Sequence, residues 1–250
     1  MNWYHNTKTL RAGFTTKDIT QREHNNMALH VATNINDVIA NRQQLAQQLA
    51  LPLNHFVCAN QTHSANVVKV TAQHKGLGAF TQQDAIADTD ALYTRQKNIV
   101  LCTFTADCVP IIFYDATEQL IGVIHSGWQG TVKEITRHTL ATIMQQEQCR
   151  AENIMIYIGA ALSQEKFEVD EDVYVKFKAL GYANDFSYFN EATGKYHIDN
   201  QQTVKKQCEL AGIPSENISV DTTCTFKSDT GFSYREDRNC GRHLHFIVQN

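Results

Sequence analysis

His63, Cys108 and His125 are the residues of this chain whose chemistry is least used up by packing alone. Each closes or follows an apolar, strand-like run and is flanked by small residues: Ser64, Ala106 and Ser126-Gly127. Two imidazoles and a thiolate suit Zn²⁺ with a fourth position open for water or substrate, and copper is the competing cation for such donors. No two of them stand at the spacing of a local zinc motif, so by spacing alone they read as ordinary core and turn residues. A metal site would have to be assembled by the fold. The same atoms also suit a second chemistry. Cys108 next to Asp107, with a histidine from elsewhere, is a nucleophile with its base, as in a cysteine hydrolase or amidase. Asp107 equally suits a turn, where its side chain bonds its own backbone.

An anion has two candidate seats. Gly127-Trp128-Gln129-Gly130-Thr131 opens a helix, where free N–H groups and the helix dipole favour phosphate. Thr131 suits a capping position there, and Trp128 either stacks on a base or sugar or packs inward. Arg235, Arg238 and Arg242, with Tyr234, form a basic cluster near the carboxyl end. It reads as a solvated face or as a set of forks for phosphate or carboxylate.

The elements that must position these groups follow from hydrophobic period and breakers. Residues 10–32 read as extended and irregular. A helix begins near Asn36-Asp37 and stops at Pro52, with Val38, Ile39, Arg42, Leu45 and Leu49 along it. Residues 55–59 and 66–70 read as strands, with His63 in the turn between them. A polar loop over 76–90 carries Asp84, Asp88 and Asp90. Strands follow at 99–104, 109–114 and 120–124, with Asp107-Cys108 between the first two. The pattern then changes to threes and fours, predicting a helix over about 131–147. A strand at 154–159, helices at 172–180 and 199–210, and strands at 218–220, 232–235 and 244–248 complete the chain. Intermixed strands and helices predict an α/β or α+β protein with mixed sheets.

Composition narrows the class. The chain has 250 residues with 3 Pro and 12 Gly, none gathered into a linker, so a single domain over 1–250 is expected. A net charge of -4 offers no general attraction to nucleic acid or an anionic membrane. No signal-like amino terminus and no spanning apolar run are present, so a cytoplasmic protein is expected. Seven cysteines without a C-x-x-C pair argue against a disulfide framework or a zinc ribbon.

Gln61-Thr62-His63-Ser64, Thr105-Ala106-Asp107-Cys108-Val109-Pro110, His125-Ser126-Gly127-Trp128-Gln129-Gly130-Thr131, Phe167-Glu168-Val169, Cys224-Thr225 and Ser233-Tyr234-Arg235 through Gly241-Arg242 occur in the order of the laccase-domain family. That family is also called YfiH-like or multicopper polyphenol oxidase-like, and the resemblance spans nearly the whole chain. It implies a YfiH-like α/β fold and a metal, generally zinc, on His63, Cys108 and His125. It also implies a purine nucleoside enzyme that phosphorolyses adenosine, inosine and methylthioadenosine and deaminates adenosine. Purine nucleoside and phosphate are the expected partners, and a homodimer is compatible with it. Older labels in the family name a copper-dependent polyphenol oxidase, and bacterial relatives are linked to peptidoglycan editing. A multicopper oxidase needs roughly ten His-type ligands, whereas three residues here stand in a ligand-like setting. On this resemblance Cys108, His63, His125 and Asp107 are the catalytic candidates. The substrate and phosphate candidates are Lys17, Asn26, Arg42, Gly127, Trp128, Gly130, Thr131, Arg235 and Arg242. Lys17 and Glu236 stand where the family usually has arginine, which would weaken phosphate binding or leave a binding module without turnover.

Overall fold

Apolar runs with no polar face demand burial on both sides, and that requirement sets the layering. A computed structural model describes residues 1–250. In chain order the first half comprises β1 (Asn2–Asn6), β2 (Leu10–Phe14), α1 (Ile35–Gln48), β3 (Phe56–Val57), β4 (Val67–Lys69), β5 (Ala91–Thr94), β6 (Val100–Thr105), β7 (Val109–Asp115) and β8 (Leu120–Ser126). The second half comprises α2 (Trp128–Val132), α3 (Ile135–Glu147), β9 (Ile154–Ile158), β10 (Glu168–Val169), α4 (Glu171–Lys178), β11 (Ser187–Asn190), β12 (Lys195–Ile198), α5 (Asn200–Leu210), β13 (Ile218–Val220) and β14 (His243–Gln249).

Two mixed sheets form the body, a five-stranded one in the order β1-β2-β14-β6-β3 and a six-stranded one in the order β13-β9-β7-β8-β5-β4. They pack face to face. Along β7, Ile112 enters the core shared by the two sheets, while Ile111 and Phe113 point to the other side. There they meet Ile135, Leu140 and Ile143 of α3 and Val204 and Cys208 of α5. Along β14, Ile247 faces the shared core, while Leu244, Phe246 and Val248 meet Leu45 and Ala46 of α1. The period of two thus divides one apolar run between two cores, giving four layers: helix, sheet, sheet, helices. A third, antiparallel sheet, β10-β12-β11, packs with α4 around Phe177, Ala183 and Ile198 and touches Trp128 and Val132 of α2. No helix is long and apolar enough to cross a membrane.

The predicted α/β class and most elements stand. The first helix starts slightly earlier, because Asn34 rather than Asn36 accepts the capping bond, from the Asn36 N–H. The helix predicted over 131–147 is two helices. Glu134 sits between them at φ +56°, and its side chain takes Arg137 and the Tyr182 hydroxyl. The strand predicted over 232–235 is a turn. Its donors are drawn off by side chains, the Phe232 N–H by His243 Nε2 and the Arg235 N–H by Asp107. Strand β1, on the edge, β5 and the short strands β10 to β12 have no counterpart in the sequence reading.

The topology places the reactive residues. The chain leaves the five-stranded sheet for the six-stranded one twice, between β3 and β4 and between β6 and β7. His63 lies in the first crossing, Asp107 and Cys108 in the second, and His125 near the end of β8. Because β7 pairs with β8, Pro110 lies opposite His125. Two crossings and one strand end therefore meet.

Candidate metal centre

The Nε2 of His63 stands 3.7 Å from the Cys108 sulfur, and the His63 and His125 rings lie 4.8 Å apart at 68°. One ligand atom from each of His63, Cys108 and His125 falls within 4.8 Å of the other two. The fold builds this convergence with backbone that most residues avoid. His63 has φ +59° and Asp107 has φ +84°, both in the left-handed region, a cost tolerated where the surroundings hold the residue in place. His63 is held at both ends. Its N–H donates to Asp90 Oδ1, and its carbonyl accepts from Lys133 Nζ at 2.6 Å.

Gly127 makes the space. A Cβ there would stand 2.3 Å from His63 Cδ2, 2.7 Å from its Nε2 and 2.9 Å from the Cys108 sulfur. A bare backbone is thus needed against two of the three donors. Two nitrogens and one sulfur with this spacing fit a borderline or soft transition metal. The electrostatics favour a charged sulfur. Burial opposes charge on the Cys108 thiol, but the His125 and His63 charges and hydrogen bonds bring it down to about 6. Burial likewise opposes a charged His125, yet the Cys108 and Asp90 partners raise it to about 9. Cys108 is therefore inclined toward the thiolate that a metal requires.

The three donors line a cavity of about 990 Å³, at the upper end of the usual range for small-molecule sites. Its wall includes Phe104, Leu162, Trp128, Phe167, Val169 and Val173, with Arg235, Arg238 and Arg242. The predicted residues fare differently within it. Asp107 lines the cavity, but its carboxylate accepts from the Thr225 and Ser233 hydroxyls and the Arg235 N–H, so it ties down the 225–235 loop. Arg235 donates to the Glu168 carbonyl. Arg242 donates to the Cys240 and Gly241 carbonyls and lies over the Tyr234 ring. Arg238 lines the same wall and has no hydrogen-bond or ion-pair partner in the protein. Trp128 lines the cavity with Lys176 5.1 Å above its ring.

Other candidates lie off the cavity or are otherwise engaged. Thr131 is fully buried, bonded to the Ser126 hydroxyl and the Gly127 carbonyl, and Gly130 is buried in the short helix α2. Arg42 lines the cavity but is only 1% exposed, and its Nε and Nη1 donate to the carbonyls of Met27, Gly78 and Ala79. It braces backbone, leaving only Nη2 without a protein acceptor. Asn26 is buried and accepts from the Ala28 and Arg242 N–H groups, acting on Arg242 rather than on the cavity. Lys17 is not among the lining residues; its N–H donates to the Thr230 carbonyl.

Two residues with no functional reading in the sequence matter here. Asp90 is fully buried and accepts from His125 Nδ1 at 2.7 Å. Burial disfavours its charge, but the His125 and Ser64 partners hold the carboxyl at about 2. Asn200 lines the cavity with its Nδ2 donated to the Ser126 carbonyl and its buried Oδ1 unpaired. Only a position among three acidic residues in a polar loop hinted at Asp90; nothing in the sequence marked Asn200.

The multi-copper polyphenol oxidoreductase laccase family matches residues 6–250. A protein of Bacillus subtilis (strain 168) named purine nucleoside phosphorylase YlmD is 36% identical over 97% of this chain and 89% of its own. A protein from an unknown prokaryotic organism named adenosine deaminase RL5 is 34% identical over 83% of this chain and 79% of its own. The crystal structure of YlmD from Geobacillus stearothermophilus matches with a TM-score of 0.93 at 31% identity, covering 100% of this chain and 97% of that one. That of the hypothetical protein YfiH from Bacillus licheniformis matches with a TM-score of 0.92 at 30% identity, covering 99% of each chain. The fold is thus held in common with these structures, and the chain belongs to the multi-copper polyphenol oxidoreductase laccase family.

Proposed function

We propose that this chain is a zinc-dependent purine nucleoside enzyme. It would phosphorolyse adenosine, inosine or methylthioadenosine to the free base and ribose 1-phosphate (methylthioribose 1-phosphate from the last), and deaminate adenosine. The observation that carries this is the convergence of His63, Cys108 and His125 within 4.8 Å at a cavity large enough for a nucleoside and an anion. The names of the relatives supply the reaction class. Zn²⁺ held by these three side chains would supply Lewis acidity and a bound water of lowered pKa.

The chain's own residues supply the rest. In phosphorolysis a phosphate oxygen bonds to the ribose C1′ as the C1′–N9 bond breaks, and its electron pair passes to the purine. Arg238, with no protein partner, and Arg235 and Arg242 beside it would hold the phosphate dianion. This takes over from the helix start at Gly127, whose Thr131 hydroxyl is already engaged. Trp128 and Phe167 offer faces for the purine. Asn200 Oδ1, an acceptor without a donor, would take an N–H or O–H of the nucleoside. Asp107 keeps Arg235 in place through the loop it ties down. In deamination water adds at C6 and ammonia leaves, with no use for the arginines.

The test is to measure metal content and adenine release from adenosine plus phosphate in the wild type and in His63→Ala, Cys108→Ala and His125→Ala. Loss of metal together with turnover is expected; unchanged metal and turnover would refute the proposal. A second reading rests on Cys108, His125 and Asp90 forming a nucleophile, base and orienting carboxylate, as a cysteine hydrolase acting on cell-wall precursors would need. A thiol alkylator separates the two. Zinc should protect Cys108 from labelling if the metal is resident, whereas a free nucleophile would be labelled and inactivated with or without zinc.

A further inference from the structure

We infer that Asp90 is a positioning residue that fits the His63–Cys108–His125 site to a divalent rather than a monovalent cation. The inference rests on the metal assignment proposed above. One carboxylate gathers five donors. Oδ1 accepts from His125 Nδ1 at 2.7 Å and from the His63 N–H at 3.2 Å. Oδ2 accepts from the Thr62 N–H at 3.2 Å and from the Ser64 N–H and hydroxyl, each at 2.7 Å. Asp90 therefore holds both histidines at once, one by its ring and the other by its backbone. These contacts bridge β8 to the crossing between β3 and β4, and they keep His63 in its left-handed conformation.

Two consequences follow. The bond to Asp90 leaves the proton of neutral His125 on Nδ1 and turns the Nε2 lone pair toward Cys108 and His63, the tautomer a ligand needs. All five partners are donors, so an amide in place of the carboxylate would set its NH₂ against N–H groups. Asparagine is therefore no conservative replacement here. The second consequence concerns charge. The Cys108 thiolate and the Asp90 carboxylate together place two negative charges at the site, enough to balance a divalent ion. Two imidazoles and a thiolate alone would also suit Cu(I). Coulomb stabilisation scales with the charge of the cation, so a divalent ion gains about twice what a monovalent one gains from the same carboxylate.

The experiment compares Zn²⁺ and Cu(I) binding to the wild type and Asp90→Asn by chelator competition, with circular dichroism as the check on folding. Zn²⁺ affinity is expected to fall about 10- to 100-fold in Asp90→Asn. The positioning part of that loss falls on both ions and the charge part about twice as heavily on Zn²⁺, so Cu(I) should lose less and the preference for zinc should narrow by up to about 10-fold. Unchanged zinc affinity, or an equal loss for both ions, would overturn the inference. If the wild type takes up neither ion, the metal assignment fails instead. Should Asp90→Asn not fold, ¹⁵N spectra of the zinc-loaded wild type decide. A His125 ring protonated at Nδ1 and protected from exchange is expected, and one protonated at Nε2 would refute the positioning role.

Discussion

Gly127 and His63 are in such close register that a single methyl on the glycine would lie 2.3 Å from the imidazole Cδ2. No van der Waals contact survives at that distance, and the backbone on the other side is buried in the turn before α2. Gly127→Ala should therefore displace His63 and lower zinc affinity at least 10-fold, with the folded far-ultraviolet spectrum retained. Chelator competition checks this, and a variant that binds zinc as tightly as the wild type would show that Gly127 does not shape the site.

Arg42 lines the cavity and at the same time holds the backbone behind it. The family resemblance names it as a phosphate candidate, and its side chain is buried with three backbone carbonyls as acceptors. Arg42→Met would leave those carbonyls without donors, each costing about 1–3 kcal/mol. A loss of about 3 kcal/mol or more is expected, read as a lower urea midpoint. Unchanged stability with a raised phosphate KM would instead assign Arg42 to phosphate binding.

Much of the site was legible because its residues end apolar runs. Cys108 immediately precedes β7 and His125 lies near the end of β8, strands whose Val- and Ile-rich sequences fix their extent, and His63 falls between two strand-like segments. Asp90 was not legible as a partner of both histidines, since its contacts come from loops meeting across the two sheets rather than from any local pattern. The break at Glu134 has neither glycine nor proline to announce it; tertiary contacts to Tyr182 and Arg137 impose it. Phe232 to Arg235 alternate like a strand but give their N–H groups to His243 and Asp107, which no period records.

His243 gives the fold a defined response to acid. Its Nδ1 donates to the Thr15 carbonyl and its Nε2 accepts from the Phe232 N–H, both at 2.7 Å, so only the neutral ring satisfies both. Burial, with Lys17 and Arg242 nearby, lowers its pKa to about 4. The unfolded chain takes up this proton below about 6.5 and the folded chain only near 4, so stability is full above 6.5 and falls as pH drops through that window. The contribution is roughly 3 kcal/mol for this group. Urea unfolding at stepped pH should show the decline, and His243→Leu, though weaker at neutral pH, should show a shallower one. An equal slope in both proteins would remove His243 as the cause.

Arg238 offers a way to separate the two proposed reactions. Phosphorolysis consumes phosphate and deamination does not. Arg238→Gln removes a guanidinium with no protein partner, and charge-assisted bonds of about 1.5–3 kcal/mol correspond to a rise of roughly 10- to 100-fold in the KM for phosphate. Adenosine deamination should fall much less. Equal losses in the two assays would mean that Arg238 does not read the anion.

The convergence of two nitrogens and one sulfur on one cation is tested most directly by X-ray absorption at the zinc edge on protein purified with zinc. One metal per chain is expected, with a single sulfur at about 2.3 Å and imidazole nitrogens at about 2.0–2.1 Å, the sulfur shell vanishing in Cys108→Ser. A chain that retains no metal, or one whose metal has no sulfur neighbour, would contradict the site at its centre.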